Sequence, residues 1–309
     1  MTIFRASLGA AFAGALLASA AAAAQDGGSA PQESAAPAGD NIIVTGERPS
    51  HSEVSRQARD VTDIGSDIRD RPLARVEDRL CPGVIGLKAD FASLVVDRLR
   101  ANAERFGLWM TEDDGTCQPN FIVAFVDYGQ DVLKHINDRW YWLFTDMPRH
   151  ERIELLADDG PVHVWTTTRP RTADGMPLGT DPYGRQVRAM SSGGMARTSI
   201  PVRDDIVGVL VLFDRDDVRG MTLAQLADYA TMRGLARTRP VDGDGQALDT
   251  ILALFDLDAT PPAELTAFDN AYLGALYAGR PNEIGLTKVL NVSTQLRRQA
   301  RAEAAPDGE

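Results

Sequence analysis

The chain has 309 residues with 32 Lys and Arg, 44 Asp and Glu, and a formal net charge of -12. Hydrophobic residues make up 44%, enough to build a core and to exclude a wholly disordered chain. The acidic balance excludes a nucleic-acid binder, which needs a basic stripe to displace counterions, and it argues against docking on anionic lipid through basic residues. Two cysteines are too few for a disulfide scaffold or a four-thiolate zinc site.

The first charged side chain is Arg5; an Ala-, Leu- and Gly-rich stretch follows, and Ala20–Ala24 precede Gln25-Asp26. Charged start, apolar middle and small-residue end predict a secretory signal peptide over 1–24, cut after Ala24. No other run is long and apolar enough to span a bilayer, so no transmembrane segment is expected in the mature chain. Export leads to a periplasmic or secreted location in an oxidising compartment, so Cys81 and Cys117 are expected to form a disulfide.

Residues 25–40 contain almost no large apolar side chain and read as a linker. Asn41-Ile-Ile-Val-Thr-Gly46 predicts a short strand, and 41–80 as a whole reads as an extended arm. The run 41–48 resembles the start of the plug domain of TonB-dependent outer-membrane receptors, which implies an envelope partner of that kind. A single globular α+β domain is expected over 81–303, with a polar tail at 304–309. Its first helix is capped by Asp90 and turns Phe91, Leu94, Val95, Leu99, Ala103 and Phe106 inward.

Phe121–Val126 predicts a buried strand. A helix over 131–144 places Leu133, Ile136, Trp140 and Leu143 on one face, and Pro148 opens another helix carrying Ile153 and Leu156. Val162–Thr168 alternates as a strand, with His163 outward. The segment 169–198 is rich in Gly, Pro, Arg and Ser and predicts a hairpin excursion. Ile206–Phe213 is a continuous apolar run, a strand covered on both faces.

Thr222-x-x-Gln225 is a capping box for a helix bearing Leu223, Leu226, Ala227, Ala230 and Gly234 on one face. A short apolar run at 250–255 and a helix capped by Thr266, with Phe268, Tyr272 and Leu276 inward, follow. A final amphipathic helix covers about 284–302. Helices flank a small mixed sheet, an α+β arrangement.

No P-loop, dinucleotide fingerprint or nucleophile elbow occurs. None of the four histidines has metal-ligand spacing, and no cofactor is implied.

The order strand 206–213, capped helix 222–233, apolar turn and Leu265-Thr266-x-x-Asp269-x-x-x-Leu273 resembles the C-terminal half of metzincin-type zincin metallopeptidases. It is similar also to bacterial secreted proteins of unknown function that keep this half. With the family's glycine set on Gly234, the three histidine positions fall on Ala227, Thr231 and Arg237, and the glutamate on Asp228. The resemblance thus implies a zincin-like shell without its catalytic zinc, since an alanine, a threonine and a guanidinium do not ligate that ion.

The leading expectation is an exported, non-catalytic binding protein whose partner is an envelope protein or an anionic ligand. Arg169, Arg171, Arg185, Arg188 and Trp142 of the aromatic run 140–144 are its candidate contacts, the arginines because guanidinium groups suit carboxylates and phosphates. The alternative is a peptidase-like hydrolase whose metal site is assembled from residues distant in sequence.

Overall fold

The computed structural model describes residues 49–63, 68–112, 115–144, 147–179, 200–241 and 248–304. The expected signal peptide, linker and strand at 41–48 lie outside the described residues. So do Arg185, Arg188 and the end of the tail. Among the described residues no helix is long and apolar enough to cross a membrane.

The fold is α+β, built on a small, mostly parallel mixed sheet with flanking helices. Its strands are β1 (Arg75–Val76), β2 (Pro82–Ile85), β3 (Phe121–Val126), β4 (Val162–Thr172) and β5 (Val202–Asp214). β5 organises the sheet. β4 runs antiparallel to it from Val162↔Phe213 to Thr172↔Val202, with a register shift at Thr167/Thr168. That occupies one edge of β5. The other edge takes β3 in parallel from Phe121↔Val209 to Val126↔Asp214, and β1 at Arg75↔Asp205. β2 then pairs in parallel with β3.

The run Ile206–Phe213 forms the middle of this sheet because both of its faces are covered. On one face Phe213 stacks on Phe125 at 5.4 Å between ring centroids and meets Tyr229 at 6.2 Å. On the other, Leu212 packs with Ala124 and Leu133. Full burial of such side chains stabilises the fold by about 1.5–3 kcal/mol each.

Seven helices are described: α1 (His51–Asp60), α2 (Ala89–Arg105), α3 (Gly129–Arg139), α4 (Arg149–Ala157), α5 (Leu223–Leu235), α6 (Ala267–Tyr277) and α7 (Gly285–Glu303). α5 and α6 open on reciprocal capping boxes, Thr222 with Gln225 and Thr266 with Asp269. α5 lies close on the sheet. A Cβ at Gly234 would stand 2.4 Å from the Phe121 ring and 2.8 Å from Val209, so only glycine permits this approach.

Several expectations need correction. The segment 49–80 is not only an arm. Its Ser50 and Glu53 form a capping box for α1, which buries Val54, Ser55, Gln57 and Ala58, and β1 joins the sheet. α2 begins after Lys88 without a side-chain cap, and Asp90 sits in its first turn. Phe91 and Leu94 are 50% and 56% exposed, because the helix turns Val95, Leu99, Asn102 and Ala103 inward instead. The helix expected over 131–144 stops at Arg139; Tyr141–Phe144 is a 3₁₀ turn that buries Phe144 and leaves Trp140 exposed. Phe144 stacks on Trp165 of β4 at 4.3 Å.

Cys81 and Cys117 form the expected disulfide, closing a loop of 36 residues around α2 and its following turn.

Candidate functional site

α4 has no fully buried residue: Ile153 is 54% exposed, and Leu155 and Leu156 pack half-buried against Ala124, Leu133 and Leu212. It runs beside β4, and a groove opens between it and the C-terminal end of α5. One lobe of about 580 Å³ is floored by Val164 and Thr166 of β4. A second lobe of about 430 Å³ continues toward Arg71, Asp204 and Tyr272. Glu151, Glu154, Asp63 and Arg237 line both lobes. Volumes of this size are those of small-ligand sites. Thr166 lies opposite Val209, which meets Gly234, so the floor belongs to the face that α5 covers.

Charge is divided across this groove. α4 and its cap supply Glu151, Glu154 and Asp158, while α5 and the residues after it supply Arg233, Arg237 and, in the second lobe, Arg239. Arg237 Nη2 spans the groove, donating to Glu151 Oε2 at 3.1 Å and to Asp63 Oδ2 at 3.1 Å. Arg233 Nη1 donates to the Tyr229 hydroxyl at 2.8 Å, and its guanidinium lies 5.6 Å from that ring's centroid. Burial pushes the Tyr229 hydroxyl pKa up. Arg239 donates to the Thr62 carbonyl at 2.9 Å, and Arg71 pairs with Asp204 at 2.9 Å.

His163 lies on the other face of β4 from the groove floor and touches the groove's edge only through Asp158. Alternation along the strand predicts an outward side chain, but it is fully buried, on the face that α3 covers. Its Nδ1 is 3.6 Å from Asp158 Oδ2 and its Nε2 3.8 Å from Asp214 Oδ2. His163, followed by the Gly160 backbone N–H, holds the Asp158 carboxyl below its ordinary pKa against the opposing effect of burial. Asp214 Oδ1 also accepts the Gly129 N–H at 2.5 Å, so α3 begins where α4 ends.

The five positions of the zincin comparison divide sharply. Ala227, Asp228 and Thr231 are fully inaccessible, and Gly234 lies under the Phe121 ring. Asp228 accepts Arg98 Nε and Nη2 at 2.8 and 2.7 Å, Asn102 Nδ2 at 2.7 Å and the Leu265 N–H at 2.9 Å. Thr231 donates to the Ala227 carbonyl and accepts from Asn102. Only Arg237 opens to the groove. Among the described residues no group of three or more His, Cys, Asp or Glu side chains converges to hold a metal ion.

The other candidates stand elsewhere. Arg171 is committed to Asp78 at 2.8 Å and Asp205 at 3.3 Å, where Arg203, Glu77 and Arg75 extend the ion-pair network. Burial raises the Asp205 carboxyl pKa in that network, against the pull of Arg203 and Arg171. Arg169 is exposed, as is Trp142 at 59%, and neither lines the groove.

The sequence reading missed Glu151, Glu154, Asp158 and Arg233. Part of the signal was available, carboxylates at i, i+3 and i+7 along α4 and its cap, but Arg237 follows α5 in extended backbone, so no helical spacing links it to Arg233. Nothing local shows that the two sets of charges face each other.

A scan of protein-family models finds no match, and searches of curated proteins and of solved structures find none.

Proposed function

We propose that this chain is an exported protein that works by recognition, and that it engages an anionic group at Arg237. The observation that carries the reading is the place of Arg237 where the two lobes of the groove meet, spanning its walls. Its carboxylate partners are half-buried or exposed, Glu151 at 32% and Asp63 at 49% of side-chain area. Ion pairs with that much water contact contribute only about 0–1 kcal/mol. A ligand carboxylate or phosphate can therefore replace one of them at little cost and gain a bidentate contact. α4, which has no fully buried residue, can shift to admit it.

Export is supported by the pattern of residues 1–24 and by the Cys81–Cys117 disulfide, a bond that persists in oxidising compartments. A non-catalytic zincin-like shell belongs to the same proposal. In its favour are the succession β5, α5, α6 and the use of Asp228 as a structural acceptor rather than a solvent-facing base.

The test is thermal unfolding of the mature chain with inorganic phosphate and with succinate. Ligand at a hundred times its Kd stabilises by about 2.7 kcal/mol. At least one of the two anions should raise Tm in the wild type and leave Arg237→Ala unmoved. No shift in the wild type, or an equal shift in the variant, would refute the reading.

A further inference from the structure

α4 and its cap bring only carboxylates among their charged groups to the groove, while the opposite wall brings Arg233 and Arg237, with Asp63 beside Arg237 and paired to it at 3.1 Å. On α4 and its cap, Glu151, Glu154 and Asp158 share one face. Opposite them stand Arg233 and Arg237. A small anion can pair with Arg237 but leaves the carboxylates of α4 without a cationic partner. A purely cationic one would suit α4 and be repelled by α5. The groove is satisfied by a ligand with anions along one side and cations along the other.

An extended polypeptide offers this arrangement from sequence alone. Its side chains point alternately to opposite sides, so a run in which acidic and basic residues alternate shows one sign to each wall. The spacing agrees. Same-side residues recur every ~6.7 Å along a strand. Glu154 and Asp158, four residues apart, are separated by about 6 Å along the helix direction.

We infer that the groove binds an extended polypeptide segment of alternating acidic and basic residues. Its acidic side lies toward Arg233 and Arg237, and its basic side toward Glu151, Glu154 and Asp158. The inference rests on the reading of Arg237 as the recognition point and adds the class of ligand. In the free protein the Arg237–Glu151 contact joins the walls at 3.1 Å. The bound segment exchanges that contact for one ion pair on each wall, so neither charge is left facing its own sign. Because the pairs are partly solvated, binding weakens as salt rises.

Two ten-residue peptides of identical composition test this: five Glu-Lys repeats, and five Glu followed by five Lys, both blocked at their ends. The alternating peptide has like charges at every i, i+4 pair, which disfavours a helix and leaves it extended. Calorimetry at low salt should show it binding at least ten-fold tighter than the block peptide. Arg237→Ala should lose that binding. Glu154→Gln, which removes one wall charge without touching Arg237, should weaken it several-fold, with Tm reporting that both variants fold.

Equal affinity for the two peptides, or preference for the block peptide, overturns the inference. So does binding that Glu154→Gln leaves unchanged. If phosphate or succinate still raises Tm through Arg237 in those cases, the recognition reading stands and only the ligand class falls. If no anion acts through Arg237, both fall together.

Discussion

Replacing Asp228 by alanine should be among the most damaging single changes in the chain. The carboxylate is fully inaccessible and accepts four hydrogen bonds, from Arg98 twice, from Asn102 and from the Leu265 N–H. These partners come from α2, which precedes it by over a hundred residues, and from the turn before α6, so one side chain ties three elements together. Removing it leaves the Leu265 N–H buried without an acceptor, at about 1–3 kcal/mol, and takes one of the two acceptors of the Asn102 amide, which keeps Thr231 Oγ1 at 3.0 Å. Arg98 is 27% exposed and keeps Glu264 at 3.0 Å, so its share of the loss is smaller. The total is about 3–5 kcal/mol, the range for breaking a buried ion pair by deleting one partner. At roughly 2–4 °C per kcal/mol for a chain of this size, Tm should fall by about 6–20 °C. Urea unfolding followed by circular dichroism reads the same loss as a lower midpoint at unchanged slope. Glu264→Ala is the control, since Glu264 is 69% exposed and should cost under about 1 kcal/mol. Equal small effects for both variants would refute the reasoning and reopen Asp228 to a role other than structural.

Burial pushes the Asp269 carboxyl up to about 6, against hydrogen bonds from Thr250, Ile251 and Thr266. Its folded pKa is above the unfolded value, so its stabilising proton uptake is complete below about pH 4 and lost as pH rises through about 6. The stability of wild type relative to Asp269→Asn should therefore drop by about 2 kcal/mol between pH 4 and pH 7; a constant difference would contradict this. Replacing Cys81 and Cys117 by serine opens the 36-residue loop and should cost about 4 kcal/mol in denaturant unfolding. A loss below about 1 kcal/mol would show that the reduced chain already restrains that loop. Gly129→Ala places a Cβ 2.4 Å from His163 Cδ2 and should destabilise by about 1–3 kcal/mol. In a His163→Ala background that penalty should largely disappear, and strict additivity would count against the contact.

Much of the C-terminal half is legible in the sequence because its signals are local. The apolar run at Ile206–Phe213 and the capping boxes at Thr222 and Thr266 each declare an element without help from the rest of the chain. α1 is harder, although Ser50-x-x-Glu53 is a capping box of the same kind. It buries polar residues: Gln57 exchanges two hydrogen bonds with the backbone of Leu248, and periodicity of apolar side chains cannot register such a pairing. Trp140 and Leu143 continue the helical spacing of Leu133 and Ile136, but the chain changes to a 3₁₀ turn there, and it is Phe144 that is buried, in the stack on Trp165. His163 was expected to face water because alternation gives two faces without saying which are covered. Here α3 and two carboxylates cover it. The groove is the least legible feature. Arg237 and Glu151 are 86 residues apart, and their meeting depends on the whole sheet.

Residue-resolved amide shifts on titrating the alternating Glu-Lys peptide into the isotope-labelled mature chain locate recognition directly. The account places the largest changes at Glu151, Glu154, Val164, Thr166, Arg233 and Arg237. Changes gathered instead around Trp140–Trp142, or around Phe91 and Leu94 on α2, would put the contact surface elsewhere and contradict it.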